Sequence, residues 1–75
     1  MTANLPAAWP GADGKPIACR DKLKVLAENH AELAQTLADV FEDAVLMGVD
    51  AAAMRRILTD MVDRLDSPKQ ARAAE

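Results

Sequence analysis

The spacing of apolar residues predicts one long helix in the first half of the chain. From Leu23 to Met47, apolar side chains and one His recur at alternating steps of three and four residues. This spacing places them on one face of an α-helix, and it continues for more than three heptads. No Gly or Pro interrupts the run. We therefore predict a helix over about residues 19–47.

A turn and a second, shorter helix follow. Gly48 can adopt the left-handed conformation that commonly ends a helix, and Asp50 is a favourable N-cap residue. Apolar residues then recur at helical spacing from Met54 to Leu65. The pattern predicts a second helix over about residues 50–66.

The segments on either side of the two helices are predicted to lack regular structure. Residues 1–18 contain three of the four Pro and two of the three Gly, which disfavour a helix or a sheet ladder. We expect an extended or disordered arm there. Residues 67–75 are short, polar and rich in Ala, and we expect a frayed tail.

The single Trp of the chain, Trp9, lies in the N-terminal arm. One interpretation is that it anchors the arm on the helices. The other is that it anchors a partner protein, because Trp is over-represented among the residues that dominate interface energies. We favour the first interpretation and keep Trp9 as a candidate partner anchor.

The predicted fold is all-α, with the two helices forming an antiparallel hairpin over residues 19–66. Each apolar face is wider than a hairpin can cover, which predicts a homodimer of two hairpins in a four-helix bundle. In overall plan this resembles the small Rop hairpin proteins, which dimerise in this way, and the resemblance implies nothing about activity. The residues predicted to form the dimer or partner seam are Leu23, Leu26, His30, Leu33, Leu37, Val40, Phe41, Met54, Leu58, Met61 and Leu65.

Composition narrows the class of protein. The chain has 75 residues, one Phe, one Trp and no Tyr, so a core built by one copy alone is small. Its only cysteine, Cys19, excludes an internal disulfide. No apolar run is long enough to span a membrane, and residues 1–10 lack the pattern of a signal peptide. The expectation is a cytoplasmic protein that does not enter membranes.

Candidate catalytic and metal-binding groups do not form a recognisable set. His30 has no second ligand at a metal-binding spacing, and Cys19 has no resolving thiol. The acidic residues of the first helix are spaced as a solvated face, without the turn of a calcium-binding loop; they are Glu28, Glu32, Asp39 and Glu42. We therefore predict no enzymatic activity, no metal, no cofactor and no small-molecule substrate.

Nucleic-acid binding is one alternative. Ala44 stands four residues before Gly48, and Arg55 and Arg56 follow where a helix-turn-helix motif has its recognition helix. The long first helix, the acidic residues around the turn and the net charge of −3 argue against this alternative. We predict a small non-enzymatic protein-interaction or regulatory module that acts through a helical-bundle surface. The alternatives are a helix-turn-helix DNA-binding protein and an accessory subunit of a larger complex.

Overall fold

The computed structural model describes residues 5–68, and these residues contain two helices and no strand. Helix α1 comprises Arg20–Leu46 and helix α2 comprises Ala51–Asp63. The all-α prediction is confirmed for this part of the chain. The first four residues of the predicted arm and residues 69–75 of the predicted tail lie outside the described residues.

Helix α1 is unbroken over 27 residues, as the uninterrupted apolar spacing predicts. Its first turn is closed by the backbone N–H of Leu23, which donates to the carbonyl of Cys19 at 2.9 Å. Cys19 therefore occupies the N-cap position, where Ser, Thr, Asp and Asn are the usual residues.

The turn between the helices has the hydrogen bonds of a Schellman motif. Gly48 has a φ of +106°, the left-handed region that its missing Cβ permits. Its N–H donates to the carbonyl of Val45 at 3.0 Å, and the N–H of Val49 donates to the carbonyl of Ala44 at 2.9 Å. Two carbonyls at the end of α1 are thus satisfied. The predicted helix stop at Gly48 is confirmed.

Helix α2 begins as predicted and ends earlier than predicted. The carboxylate of Asp50 accepts from the N–H of Ala53 at 2.9 Å, which confirms the N-cap. The helix ends at Asp63, three residues before the predicted end at residue 66. The reason lies in the last turn, where the N–H of Leu65 donates to the carbonyl of Val62, three residues back. This tightened turn stops the helical pattern.

The described residues fall into two compact units that divide between Val40 and Phe41, within α1. The first unit holds the N-terminal segment and most of α1. The second holds the last turns of α1, the turn and α2. Within residues 5–68 the one buried residue is Ala44, which keeps 7% of its surface exposed.

In the first unit, residues 9–17 form a closed loop within the segment 1–18 that was predicted to be an extended or disordered arm. Ile17 donates to the carbonyl of Trp9 at 2.8 Å, and Gly11 donates to the carbonyl of Lys15 at 2.7 Å. Pro10 and Pro16 lie opposite each other between these bonds. The turn itself depends on Gly11, because a Cβ there would lie 2.6 Å from the Lys15 carbonyl oxygen.

Neither α1 nor α2 combines the length and the apolar character that a membrane-crossing helix requires.

Candidate interaction surface

Trp9 packs against α1 within the first unit. Its ring meets that of His30 edge to face, with 6.0 Å between the centroids and 80° between the planes. This is a favourable aromatic geometry. The Nδ1 atom of His30 is buried and has no hydrogen-bond partner in the described part of the chain. The contact is the one that an intramolecular anchor would make.

An open apolar groove of about 560 Å³ lies between the loop and the first turns of α1. The loop contributes Trp9, Pro10 and Ile17, and α1 contributes Val25 and Leu26. Asp21 and Lys22 supply its charged part. The closed loop explains this arrangement, because pairing the backbones of residues 9 and 17 brings two large apolar side chains to the same place.

The central part of α1 leaves its apolar residues uncovered. Leu33 is 58% exposed, Leu37 is 39% exposed and Val40 is 42% exposed. Leu33 and Leu37 also line a shallow hollow with His30 and Ala34. Three uncovered aliphatic side chains at steps of four and three residues form one stripe on a helix.

In the second unit, Phe41 is half-buried and carries a cation on its ring. The guanidinium carbon of Arg55 lies 4.8 Å from the ring centroid, within the range of a cation–π interaction. Like the centre of α1, helix α2 has uncovered apolar residues, since Ile57 and Met61 are at least half exposed. Leu65, two residues beyond the end of α2, is also exposed.

The predicted seam therefore divides into a covered set and an uncovered set. The half-buried members are Leu23, Leu26, His30, Phe41, Met54 and Leu58. The exposed members are Leu33, Leu37, Val40, Met61 and Leu65. The uncovered set is the candidate interaction surface.

The two Arg residues considered for nucleic acid have different environments. Arg55 stacks on Phe41, as described above. Arg56 lines a shallow hollow on α2 with Ala53, Ile57 and Asp60. Asp60 itself forms an ion pair with Arg64 at 3.2 Å, one turn further along α2.

Cys19 is exposed, and the start of α1 alters its acidity. The backbone N–H groups of Lys22 and Asp21 hold the pKa of the thiol below its ordinary value, and the charge of Lys22 acts in the same direction. These groups stabilise the thiolate. Within residues 5–68, no three side chains of the metal-binding types come together.

Comparison of the chain with known protein families, with curated proteins and with solved structures finds no match.

Sequence reasoning missed the groove and the residues that build it. Pro10, Ile17 and Val25 belonged to no predicted site, although two of them flank a Gly-Ala-Asp-Gly turn. That turn chemistry is a known signal for chain reversal. This signal indicates a chain reversal that would bring Ile17 back beside Trp9.

Proposed function

We propose that this chain is a small non-enzymatic protein-interaction module that acts by self-association, as two helical hairpins forming a four-helix bundle. The observation that carries the proposal is the uncovered stripe of Leu33, Leu37 and Val40 on α1. Adjacent exposed aliphatic side chains usually mark a contact surface. Burying this stripe against a second copy removes it from water at a gain of about 25 cal/mol per Å².

The exposed residues of α2 support the same proposal. Ile57 and Met61 are four residues apart, so they share one side of that helix. Leu65 lies just beyond the end of α2 and is also exposed. A four-helix bundle needs such a face on every helix. The Met residues suit an adaptable contact, because the Met side chain is flexible and polarizable.

A catalytic role fits these residues less well. Catalysis requires at least two polar groups that converge on a reacting atom. Cys19 lies exposed at the beginning of α1, while His30 lies three turns further along with its ring against Trp9. Because of this separation along α1, the Cys19 thiol and the His30 ring do not converge on one site.

The nucleic-acid alternative has less support than self-association. To contact a base, Arg55 would have to leave the face of Phe41. Asp39, Glu42, Asp43 and Asp50 stand near the turn and would repel phosphates. The accessory-subunit alternative uses the same apolar surface and differs in which protein covers it.

Sedimentation equilibrium of the full chain tests the proposal. We expect the mass to rise with concentration toward twice the 8.0 kDa of one chain. Leu33→Glu puts a charge in the centre of the stripe and is expected to hold the mass at that of one chain. Ala31→Glu is the matched control, because it adds the same charge at another exposed position of α1.

A folded wild-type chain that stays monomeric at its highest soluble concentration would contradict self-association. Equal masses for the two Glu variants would place the contact elsewhere than on this stripe. A wild-type chain that is unfolded alone, by far-UV circular dichroism, would favour the accessory-subunit alternative.

A further inference from the structure

We propose that the partner of α1 is a second copy of this chain whose α1 helix docks antiparallel, with the two-fold axis near Leu33. This inference rests on the proposed function, because it assigns the partner and its direction to the same exposed surface. It is argued from the order of charged, polar and apolar residues along one side of α1.

A polar edge runs along the exposed side of α1. Residues that are seven apart lie on the same side of a helix, and four exposed residues of α1 have this spacing: Lys22, Asn29, Thr36 and Asp43. The edge therefore begins with a positive charge, ends with a negative charge and has two uncharged hydrogen-bonding side chains between them.

An apolar line lies beside this polar edge. Leu26, Leu33 and Val40 also follow at steps of seven residues, each three or four residues from a member of the edge. Leu33 and Val40 are exposed, and Leu26 is half-buried. Leu33 is also the middle residue of α1, whose ends are Arg20 and Leu46.

The polar edge and the apolar line of α1 are self-complementary when the α1 helix of a second copy runs in the opposite direction. About an axis near Leu33, Lys22 comes opposite Asp43 of the second copy, and Asn29 comes opposite Thr36. In the apolar line, Leu26 meets Val40 and Leu33 meets its own equivalent. A parallel arrangement would not pair these charges, because a two-fold axis along the helices places the two polar edges on opposite sides of the contact.

The charges of α1 supply a second argument. Lys22 near the start and Asp43 near the end both oppose the dipole of their own helix, so they reduce the stability of α1 in a single copy. Within residues 5–68, the ion pair that forms joins Arg64 to Asp60 in α2. An antiparallel α1 from a second copy would give Lys22 and Asp43 the opposite charges that they lack.

Charge reversal tests the direction of docking. Lys22→Glu and Asp43→Lys are each expected to raise the dissociation constant of the dimer roughly tenfold, since each turns two symmetry-related attractions into repulsions. The double variant Lys22→Glu/Asp43→Lys restores both attractions in reverse, and its dissociation constant is expected to return to nearly the wild-type value. All are measured by sedimentation equilibrium at low salt, where exposed charges act most strongly.

Two further variants control for net charge and for folding. Lys24→Glu and Glu42→Lys make the same charge changes at exposed positions of α1 outside the polar edge, and we expect them to leave the dissociation constant unchanged. Loss of helix cannot imitate the result, because both edge reversals place favourable charges at the ends of α1 and should preserve or increase helicity.

The outcomes separate this inference from the proposed function. Weakening by each single reversal, with recovery in the double variant, supports antiparallel docking through this edge. A dimer that is equally stable in all variants overturns the inference and leaves self-association standing. A monomeric wild-type chain overturns both.

Discussion

Trp9 and Phe41 are the large aromatic side chains of the chain, and each makes one specific contact. Trp9 meets His30 edge to face in the first unit, whereas Phe41 lies under the guanidinium of Arg55 in the second. Each contact pairs an aromatic ring with a side chain that carries polar nitrogen atoms, His30 in one case and Arg55 in the other. Because Ala44 is the one buried residue of residues 5–68, the fold depends on such contacts.

The coupling between Phe41 and Arg55 is measurable by a double-mutant cycle. Phe41→Leu removes the aromatic face and keeps an apolar side chain, and Arg55→Met removes the charge and keeps the length. We expect a coupling of about 0.5–1 kcal/mol, typical of a cation–π pair at an exposed site. Urea unfolding at one fixed protein concentration provides the four free energies, and strictly additive effects would show that the stacking contributes nothing.

Cys19 is expected to titrate at a lower pH in the folded chain than in the unfolded chain. The N–H groups at the start of α1 favour the thiolate and lower its pKa. The stabilisation that follows is complete above the pKa of the unfolded thiol and is lost as the pH falls through the folded pKa. The pH dependence of the iodoacetamide reaction rate measures both values. Identical midpoints in buffer and in concentrated urea would contradict this account.

The helices and their junction are the elements that the sequence predicts best. The apolar spacing of α1 predicts its extent to within one residue at each end, because no Gly or Pro competes with the pattern. Gly48 correctly predicts the end of α1, and Asp50 correctly predicts the start of α2, because each residue acts through local backbone chemistry. The end of α2 could not be predicted so well, because no Gly or Pro between Asp63 and Pro68 marks where the tightened last turn forms.

The closed loop of residues 9–17 shows what the sequence pattern conceals. Prolines suggest an extended segment, yet Pro10 and Pro16 are compatible with a chain reversal because their neighbours make the hydrogen bonds. Similarly, the seam on α1 is continuous in sequence, whereas the loop contacts His30 and leaves Leu33 exposed. Which members of an apolar face are covered depends on tertiary packing that periodicity does not encode.

Gly48, in the turn between the helices, is a position where adding a single methyl group should lower the free energy of unfolding. Beyond Gly48 and its two chain neighbours, no atom lies within 4 Å of a Cβ added there, but the φ of +106° is strained for any residue with a side chain. Gly48→Ala is therefore expected to destabilise the chain by about 1–2 kcal/mol without a steric clash. Gly48→Asn is the control and should cost less, because Asn tolerates this conformation better. Urea unfolding measures both, and equal costs would indicate that the backbone conformation is not the cause.

Taken together, residues 5–68 form two helices that leave many large apolar side chains exposed. The sequence predicted this exposed apolar surface, and the structure adds where it lies, on the centre of α1 and along α2. The proposed antiparallel docking of α1 would bury the first of these surfaces and neutralise the charges at both helix ends. The partner cannot be read from periodicity alone, since the same apolar stripe would suit a second copy or another protein.

The distance between the two copies of Cys19 tests this account most directly. Cys19 is the only cysteine and is exposed, so one spin label attaches to each chain without any substitution. Antiparallel docking near Leu33 separates the two labels by twice the helix length from Cys19 to Leu33, about 40 Å at 1.5 Å per residue. Pulsed dipolar spectroscopy should give this distance, and dilution with unlabelled chains should remove the signal. A separation of about 10 Å, the spacing of parallel packed helices, or the absence of any coupling between copies would contradict it.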